Sequence, residues 1–415
     1  MAAIGVALGA VPITPSPPAG HELAGYIARQ GRSLGAHDDV EARCMLIDWQ
    51  PAVLLVNLDL LGVDSGIVET VHRVAEREVG AVEVVVSATH THSAPATLFT
   101  NPLLTFGGSF LRRDYLAYFE ERLRILFQDL AGRVERHDVL VGKGSVSGVV
   151  TDREDPGRKV DDEALVVVFK RGLQTAGYLL NYAVHPTVLG PDNLLISKDL
   201  VDPVLRYLGA AWKAGVGLFL NGAAANVSTR FTRRGQTFEE AERLGKLLVD
   251  QLLLLPLRGM PGDAAEVDLQ AKRVSVSFRQ PSPEELSAAL RVGAGSAHPR
   301  VREAILEGVK ALERITPYLS SAGRSEVELR VLRIGSLRLL FAPFELHSDF
   351  SLRLKRFAGS GKLGLVGYSG EYLGYLVPRD YALGYESVMQ VLDEESSERV
   401  LRGLEEVLDF DPLPA

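Results

Sequence analysis

The chain has 415 residues, 46% of them hydrophobic and 24% charged, proportions expected of a soluble globular protein with a substantial core. Its 45 basic and 53 acidic residues leave a net charge of −8, and no long basic run or basic–aromatic interleaving occurs, so nucleic acid is not an expected partner. The single cysteine, Cys44, excludes an internal disulfide framework and any cysteine-rich zinc site, so a bound metal would have to take nitrogen and oxygen ligands.

The first twenty residues contain a short apolar stretch with no Lys or Arg before it, and the first charge is Glu22. A secretory signal needs a cationic start, so Ile4–Val11 reads as a first strand followed by a proline-rich loop. No apolar run approaches the roughly 20 residues of a spanning helix, which makes the cytoplasm the expected location. Strand-like runs follow at Ala52–Leu58, Val82–Ser87, Val139–Val146, Ala164–Phe169, Ala176–Val184 and Gly217–Asn221. Helical patterns lie between them at Ser65–Val79, Leu111–Leu130 and Asp199–Trp212, with a further helix opening at Thr237, where Thr237 and Glu240 have capping-box spacing.

From Pro256 the pattern loosens around a strand near Val267–Phe278, then two helices follow at Pro283–Val292 and Pro299–Ile315. This stretch, about 256–320, reads as an insertion or subdomain within a single domain spanning 1–415. Strands return at Glu326–Ile334 and Ser336–Phe341, then a helix from Leu346 and a final one over Ser387–Leu408. No repeat appears. The alternation implies an α/β fold, a mixed β-sheet core with flanking helices and a metal site at strand ends.

Chemistry concentrates where strands end. AVEVVVSATHTHSAP delivers His90 and His92 to a small-residue turn, and alternation along an extended backbone would project both imidazoles to one side. His185, in LLNYAVHPTVLG, repeats the arrangement, and three histidines at strand ends suit a mononuclear metal site. Glu345, after SLRLLFAPF, is expected at a helix start, where it either complements the helix dipole or supplies an oxygen ligand. NGAAANVSTR places Ser228 in a small-residue loop able to approach a ligand. Tyr372, Tyr375, Tyr381 and Tyr385 fit neither one helix face nor one strand face, and suit a pocket wall.

These segments, HTHSAP, YAVHP, NVS, APFE and the Tyr-rich run ending in YE, occur in the order found in neutral, non-lysosomal ceramidases, which the chain resembles over nearly its whole length. The resemblance is to the catalytic part alone, without the C-terminal immunoglobulin-like domain of longer members. It implies one zinc held by His90, His185, Glu345 and Tyr375, with His92 beside the metal-bound water. It also places Arg153 and Tyr385 at the active site and aligns Ser228 with the serine of a GDVSP-like loop. Departures occur there: Asn226 stands where aspartate is usual and Thr229 where proline is usual.

Zinc with an open position acidifies water to a pKa of about 7, and Tyr385 or Arg153 could donate to the resulting oxyanion. His92 is suited to shuttle a proton to a leaving amine. The expected function is therefore zinc-dependent hydrolysis of a linear N-acyl amide, ceramide-like or smaller. Arg230, Arg233 and Arg234 read as solvated loop charges. Three rivals remain at this stage: a barrel-type metal-dependent amidohydrolase, which would draw on His298 and His347; a serine hydrolase built on Ser228; and a non-catalytic metal-containing binding protein.

Overall fold

The computed structural model describes residues 2–262, 266–279, 282–295, 299–359, 361–379, 381 and 384–409. A large mixed sheet contains β1 (Ala3–Pro12), β2 (Glu41–Asp48), β3 (Ala52–Leu58), β4 (Val82–Ala88), β5 (Glu135–Ser145), β6 (Glu163–Arg171), β7 (Gln174–Tyr182) and β8 (Val216–Asn221). Their order is β8-β7-β6-β5-β1-β2-β3-β4, and Arg258–Gly259 pairs with β5 off this path. The pairs at the two ends, β8–β7 and β3–β4, are parallel. Those between are antiparallel. A second sheet, β9 (Val267–Ser277), β10 (Arg324–Ile334), β11 (Leu337–Phe341) and β12 (Lys362–Val366), runs in that order, with β11 and β12 parallel.

The twofold alternation of side chains along each strand sets the layering. Ile4, Val6 and Leu8 of β1, Leu165, Val167 and Phe169 of β6, and Leu332, Ile334, Leu337 and Leu339 of the second sheet form one core between the sheets. Their neighbours Ala7, Val11, Val166 and Val168 face the other way. There they meet α1 (Ser65–Glu78), α2 (Arg113–Ala131), α3 (Val201–Trp212) and α4 (Phe238–Leu252). Val327, Leu329 and Val331, on the outer face of the second sheet, pack under α7 (Ser348–Phe357) and α9 (Glu394–Asp409). The result is an α/β/β/α sandwich, in which each buried Val or Leu contributes about 1.5–3 kcal/mol. An open, largely antiparallel sheet backed by a second sheet is not a closed parallel barrel, so the barrel-type reading falls.

Two of the helices, α1 and α4, begin where a side chain satisfies a free amide. Asp64 accepts from the Ile67 amide at α1, and Thr237 accepts from the Glu240 amide at α4. The expected capping box at Thr237 is only half formed, because the Glu240 carboxylate instead takes the Arg234 amide and the Arg243 guanidinium. The helical pair α5 (Pro283–Gly295) and α6 (Pro299–Ala322) shares a cluster of Ala289, Ile305, Val309 and Leu312 with Val388 and Val391.

Three further expectations are corrected. The final helix is two: α8 (Tyr385–Met389) stops at Gln390, which is extended, and α9 starts at Glu394. The break exists because Val391 offers its carbonyl to Arg279 and the Gln390 side chain takes up the Val377 amide. Glu345 opens no helix; Glu345–Leu346 pairs with Tyr375–Leu376 as a short parallel ladder, and α7 starts at Ser348. Of the two strands absent from the sequence reading, β2 lies inside the first sheet and β12 forms the edge of the second.

Candidate metal centre

The ends of β4, β7, β8, β11 and β12 meet at one rim and are stitched together by backbone hydrogen bonds from Ala88 to Tyr368, Gly222 to Tyr182, Gly367 to Asn221 and Ala342 to Val366. Asn221, fully buried, ties the same ends by donating to the carbonyls of Thr89 and Val184. The histidine pair leaves this rim by a route that strand alternation does not describe. β4 stops at Ala88, and His90 takes a left-handed conformation with φ of 66°, costly for a non-glycine residue and characteristic of functional sites. That turn brings His90 Nε2 and His92 Nε2 to 3.2 Å of each other.

Three buried side chains close on one point. His90 Nε2 lies 3.2 Å from His185 Nε2 and 3.3 Å from Glu345 Oε2, and His185 Nε2 lies 3.2 Å from the same oxygen. Ligand atoms held 2.0–2.1 Å from a tetrahedral zinc would stand about 3.3–3.4 Å apart, so this triangle has the edge lengths of a coordination shell. The second nitrogens fix the chemistry: His90 Nδ1 is 2.6 Å from the Leu61 carbonyl and His185 Nδ1 is 2.6 Å from the Ala224 carbonyl. Each carbonyl requires a proton on Nδ1, which leaves both Nε2 lone pairs aimed at the centre. The Glu345 Oε2 atom is buried and unpaired, while Oε1 accepts from Tyr372. Two lone pairs and an unpaired carboxylate oxygen facing one another are repulsive unless a cation lies between them, so the donor set fits a divalent metal. His90, His92 and His185 together form the metal-competent cluster among the described residues.

Electrostatics agree with that donor set. Burial, reinforced by Arg153, lowers His185 to about 4, and burial with the neighbouring His90 and His185 rings takes His92 well below its usual value. Neutral imidazoles and a carboxylate are the forms that bind metal.

Arg153 stands beside the triangle, on the Nε2 side of His185. Its Nε donates to Glu386 at 2.5 Å, Nη1 stands 3.4 Å from His185 Nε2, and Nη2 donates to the Tyr375 hydroxyl at 3.3 Å. Its guanidinium carbon also lies 4.6 Å from the Tyr385 ring centroid. The four tyrosines gather beside this centre: Tyr372 holds Glu345, Tyr375 and Tyr385 meet edge-on at 5.6 Å, and Tyr381 donates to Glu386. Burial raises the Tyr375 phenol well above its usual value, against the pull of Arg153. The sequence reading missed Tyr368, which stacks on His90 at 4.0 Å and also has a positive φ; a lone tyrosine between glycine and serine gave no signal.

Ser228 lies on the rim in a bridge to His185, and its Oγ accepts from the Arg230 amide. No hydrogen bond joins it to a histidine among the described residues, so the serine-hydrolase reading lacks its base. Arg230 and Arg233 are not solvated charges: both are half-buried and donate to the carbonyls of Arg153 and Thr187. Arg234 is exposed, as expected. His347, fully buried, caps α7 through Nδ1, while His298 lies outside the described residues.

The fold and the site together define an α/β/β/α sandwich with a histidine- and carboxylate-lined centre at its strand ends. No protein-family model matches this sequence, and neither does any curated protein. Solved structures do. A structure of ceramidase complexed with C2 aligns at a TM-score of 0.75 and 17% identity, covering 98% of this chain and 75% of that one. Neutral ceramidase from Pseudomonas aeruginosa aligns at 0.77 and 17%, covering 98% and 74%. The chain has the neutral ceramidase fold. No described helix is long and apolar enough to cross a membrane.

Proposed function

We propose that this protein is a zinc-dependent hydrolase that cleaves a linear N-acyl amide bond, with the metal held by His90, His185, Glu345 and Tyr375. The observation that carries the reading is the triangle of His90 Nε2, His185 Nε2 and the unpaired Glu345 Oε2, all within 3.2–3.3 Å with both imidazole tautomers fixed from behind. Likeness of fold to the neutral ceramidases supports it. A divalent cation bound there supplies Lewis acidity, making water acidic enough to react at neutral pH.

The chain's own groups divide the remaining work. His92 differs from the other two histidines in that its Nδ1 is buried with no acceptor, so its tautomer is not fixed and it can take a proton on one nitrogen and release one from the other. It accepts the proton lost by water as the C–O bond forms, then delivers it to the amide nitrogen as the C–N bond breaks, leaving a carboxylic acid and an amine. Arg153 and Tyr385 donate to the carbonyl oxygen as negative charge develops. Glu386 keeps the guanidinium aimed at the centre.

Elemental analysis of the purified protein and a panel of N-acyl amides test this. About one equivalent of zinc, with hydrolysis abolished by chelation and restored by zinc, is expected. Hydrolysis that survives complete metal removal would overturn it. The His92→Ala variant should retain zinc and lose turnover; a protein that uses its metal only for structure would show no turnover in either form.

A further inference from the structure

Residues 224–227 are bonded to three of the segments that carry the centre. The Ala224 carbonyl takes the His185 Nδ1 proton, and the Val227 carbonyl takes the His185 amide at 2.8 Å. The Ala225 amide donates to the carbonyl of Leu346, one residue beyond Glu345, at 3.0 Å. Asn226 is fully buried, and its own carbonyl accepts from the Arg153 amide at 2.8 Å. One short stretch thus holds a histidine of the triangle, the chain beyond Glu345 and the backbone of Arg153.

The Asn226 side chain completes the arrangement against a buried carboxylate. Its Oδ1 accepts from the Ser348 amide at the start of α7, at 2.9 Å, which turns its amide nitrogen the other way. That Nδ2 donates to Asp152 Oδ2 at 2.8 Å. Asp152, also fully buried, accepts through Oδ1 from the amides of Glu154 and Asp155 at 2.8 and 3.0 Å, so it holds the turn immediately after Arg153. The Arg158 guanidinium stands 3.5 Å from Oδ2. Thr151–Asp152 pairs with Val227–Ser228 over two residues only, and these side-chain bonds pin Arg153 where that ladder stops. A carboxylate facing an amide donor is complementary. Two carboxylates, or two NH2 groups, placed there would leave buried polar groups unpaired.

We propose that Asp152 and Asn226 act as one complementary pair that positions the Arg153 guanidinium for the amide-cleaving step. Both are positioning residues, acting through the Arg153 backbone on a group that meets the developing charge. A misplacement of about 1 Å there costs about a hundredfold in rate. The pair has a property that ordinary core contacts lack: exchanging its two residues reverses one hydrogen bond and preserves the others. After Asn226→Asp the carboxylate still accepts from Ser348, and after Asp152→Asn the side-chain carbonyl still accepts from Glu154 and Asp155 while its NH2 donates to residue 226. The inference rests on the amidase reading for its chemical step, but the dependence of Arg153 on the pair stands apart from turnover.

Four forms of the full-length protein test it: the unaltered chain, Asn226→Asp, Asp152→Asn, and the two substitutions together. Each is measured for zinc content, for kcat and KM on one N-acyl amide, and for acetate affinity by calorimetry, acetate standing for the product carboxylate that Arg153 would meet. Asn226→Asp should lower kcat about a hundredfold with KM little changed and zinc retained. Asp152→Asn should shift kcat in the same direction, and serves alone if Asn226→Asp folds poorly. The exchanged form should recover kcat to within about tenfold of the unaltered chain, because residues in contact are not additive. Single substitutions that leave kcat intact, losses that merely follow lost zinc, or losses that add in the exchanged form would each overturn the inference. If no form turns over any amide, acetate affinity decides: weakening in the single variants and recovery on exchange would defeat the amidase reading and leave the positioning role standing, whereas indifference to the pair would overturn both.

Discussion

Two buried polar clusters lie on this scaffold and resolve their charge differently. On the face near β8, Arg43 and Lys198 are interleaved with Asp38, Glu41, Asp59 and Asp202: Lys198 contacts Asp38, Glu41 and Asp202, and Arg43 contacts Glu41 and Asp59. At the rim, two imidazole lone pairs and an unpaired carboxylate oxygen converge, and the Arg153 guanidinium that stands 3.4 Å from His185 Nε2 is itself paired with Glu386. Burial raises the stakes equally in both places. The first cluster pairs its own charges, although Arg43 Nε and Asp59 Oδ1 make no hydrogen bond, and the second is arranged to receive a cation from outside the chain.

The contrast is broken most severely by removing a ligand. His185→Ala or Glu345→Gln should abolish stoichiometric zinc by elemental analysis and lower kcat/KM by roughly a thousandfold or more, since metal-derived stabilisation amounts to several kcal/mol. Retained zinc in both variants would show that the triangle is not the site. Removing the hydroxyl that orients Glu345 is gentler. Tyr372→Phe should weaken zinc affinity about 10- to 100-fold in a chelator competition, because it touches the metal only through the carboxylate.

In the charge-paired cluster the expected effect is on stability alone. Burial lifts the Asp59 carboxyl to about 6, against the pull of Arg43 and Lys198. The folded state therefore holds this proton more tightly than the unfolded chain, whose carboxyl titrates near 3.9. Its favourable contribution is full below about pH 4 and is lost as pH rises through about 6, a change of about 3 kcal/mol. Asp59→Asn should flatten that part of the stability-versus-pH curve in urea titrations while zinc content stays unchanged; an unaltered curve would refute the assignment. Smallest of all, Ser228→Ala removes one acceptor for the Arg230 amide and should cost about 1 kcal/mol of stability with most activity retained. Loss of turnover with the fold intact would restore the serine as a chemical participant.

Much of the framework was legible because local patterns carried it. The strands β1, β3, β4, β6, β7 and β8 showed as apolar runs, and α1 to α4 as periodic stripes with a cap read at α4, since both signals come from neighbours in the chain. β2 and β12 were not read, although β2 lies inside the first sheet and β12 closes the edge of the second. One long final helix was expected where two occur, because the break at Gln390 is made by Arg279 and Val377, more than ten residues away in sequence.

The candidate site divides in the same way. Sequence alone determined the residue types, since His90, His92, His185 and Glu345 each follow a strand and small residues or proline. It could not show that His90 leaves the pleat through a left-handed turn, that the Leu61 and Ala224 carbonyls fix its tautomer and that of His185, or that Tyr368 stacks beneath it. Those features depend on contacts between segments tens to hundreds of residues apart. A chain's own pattern states which groups arrive at a strand end, and only the packing of five such ends against one another decides where their lone pairs point.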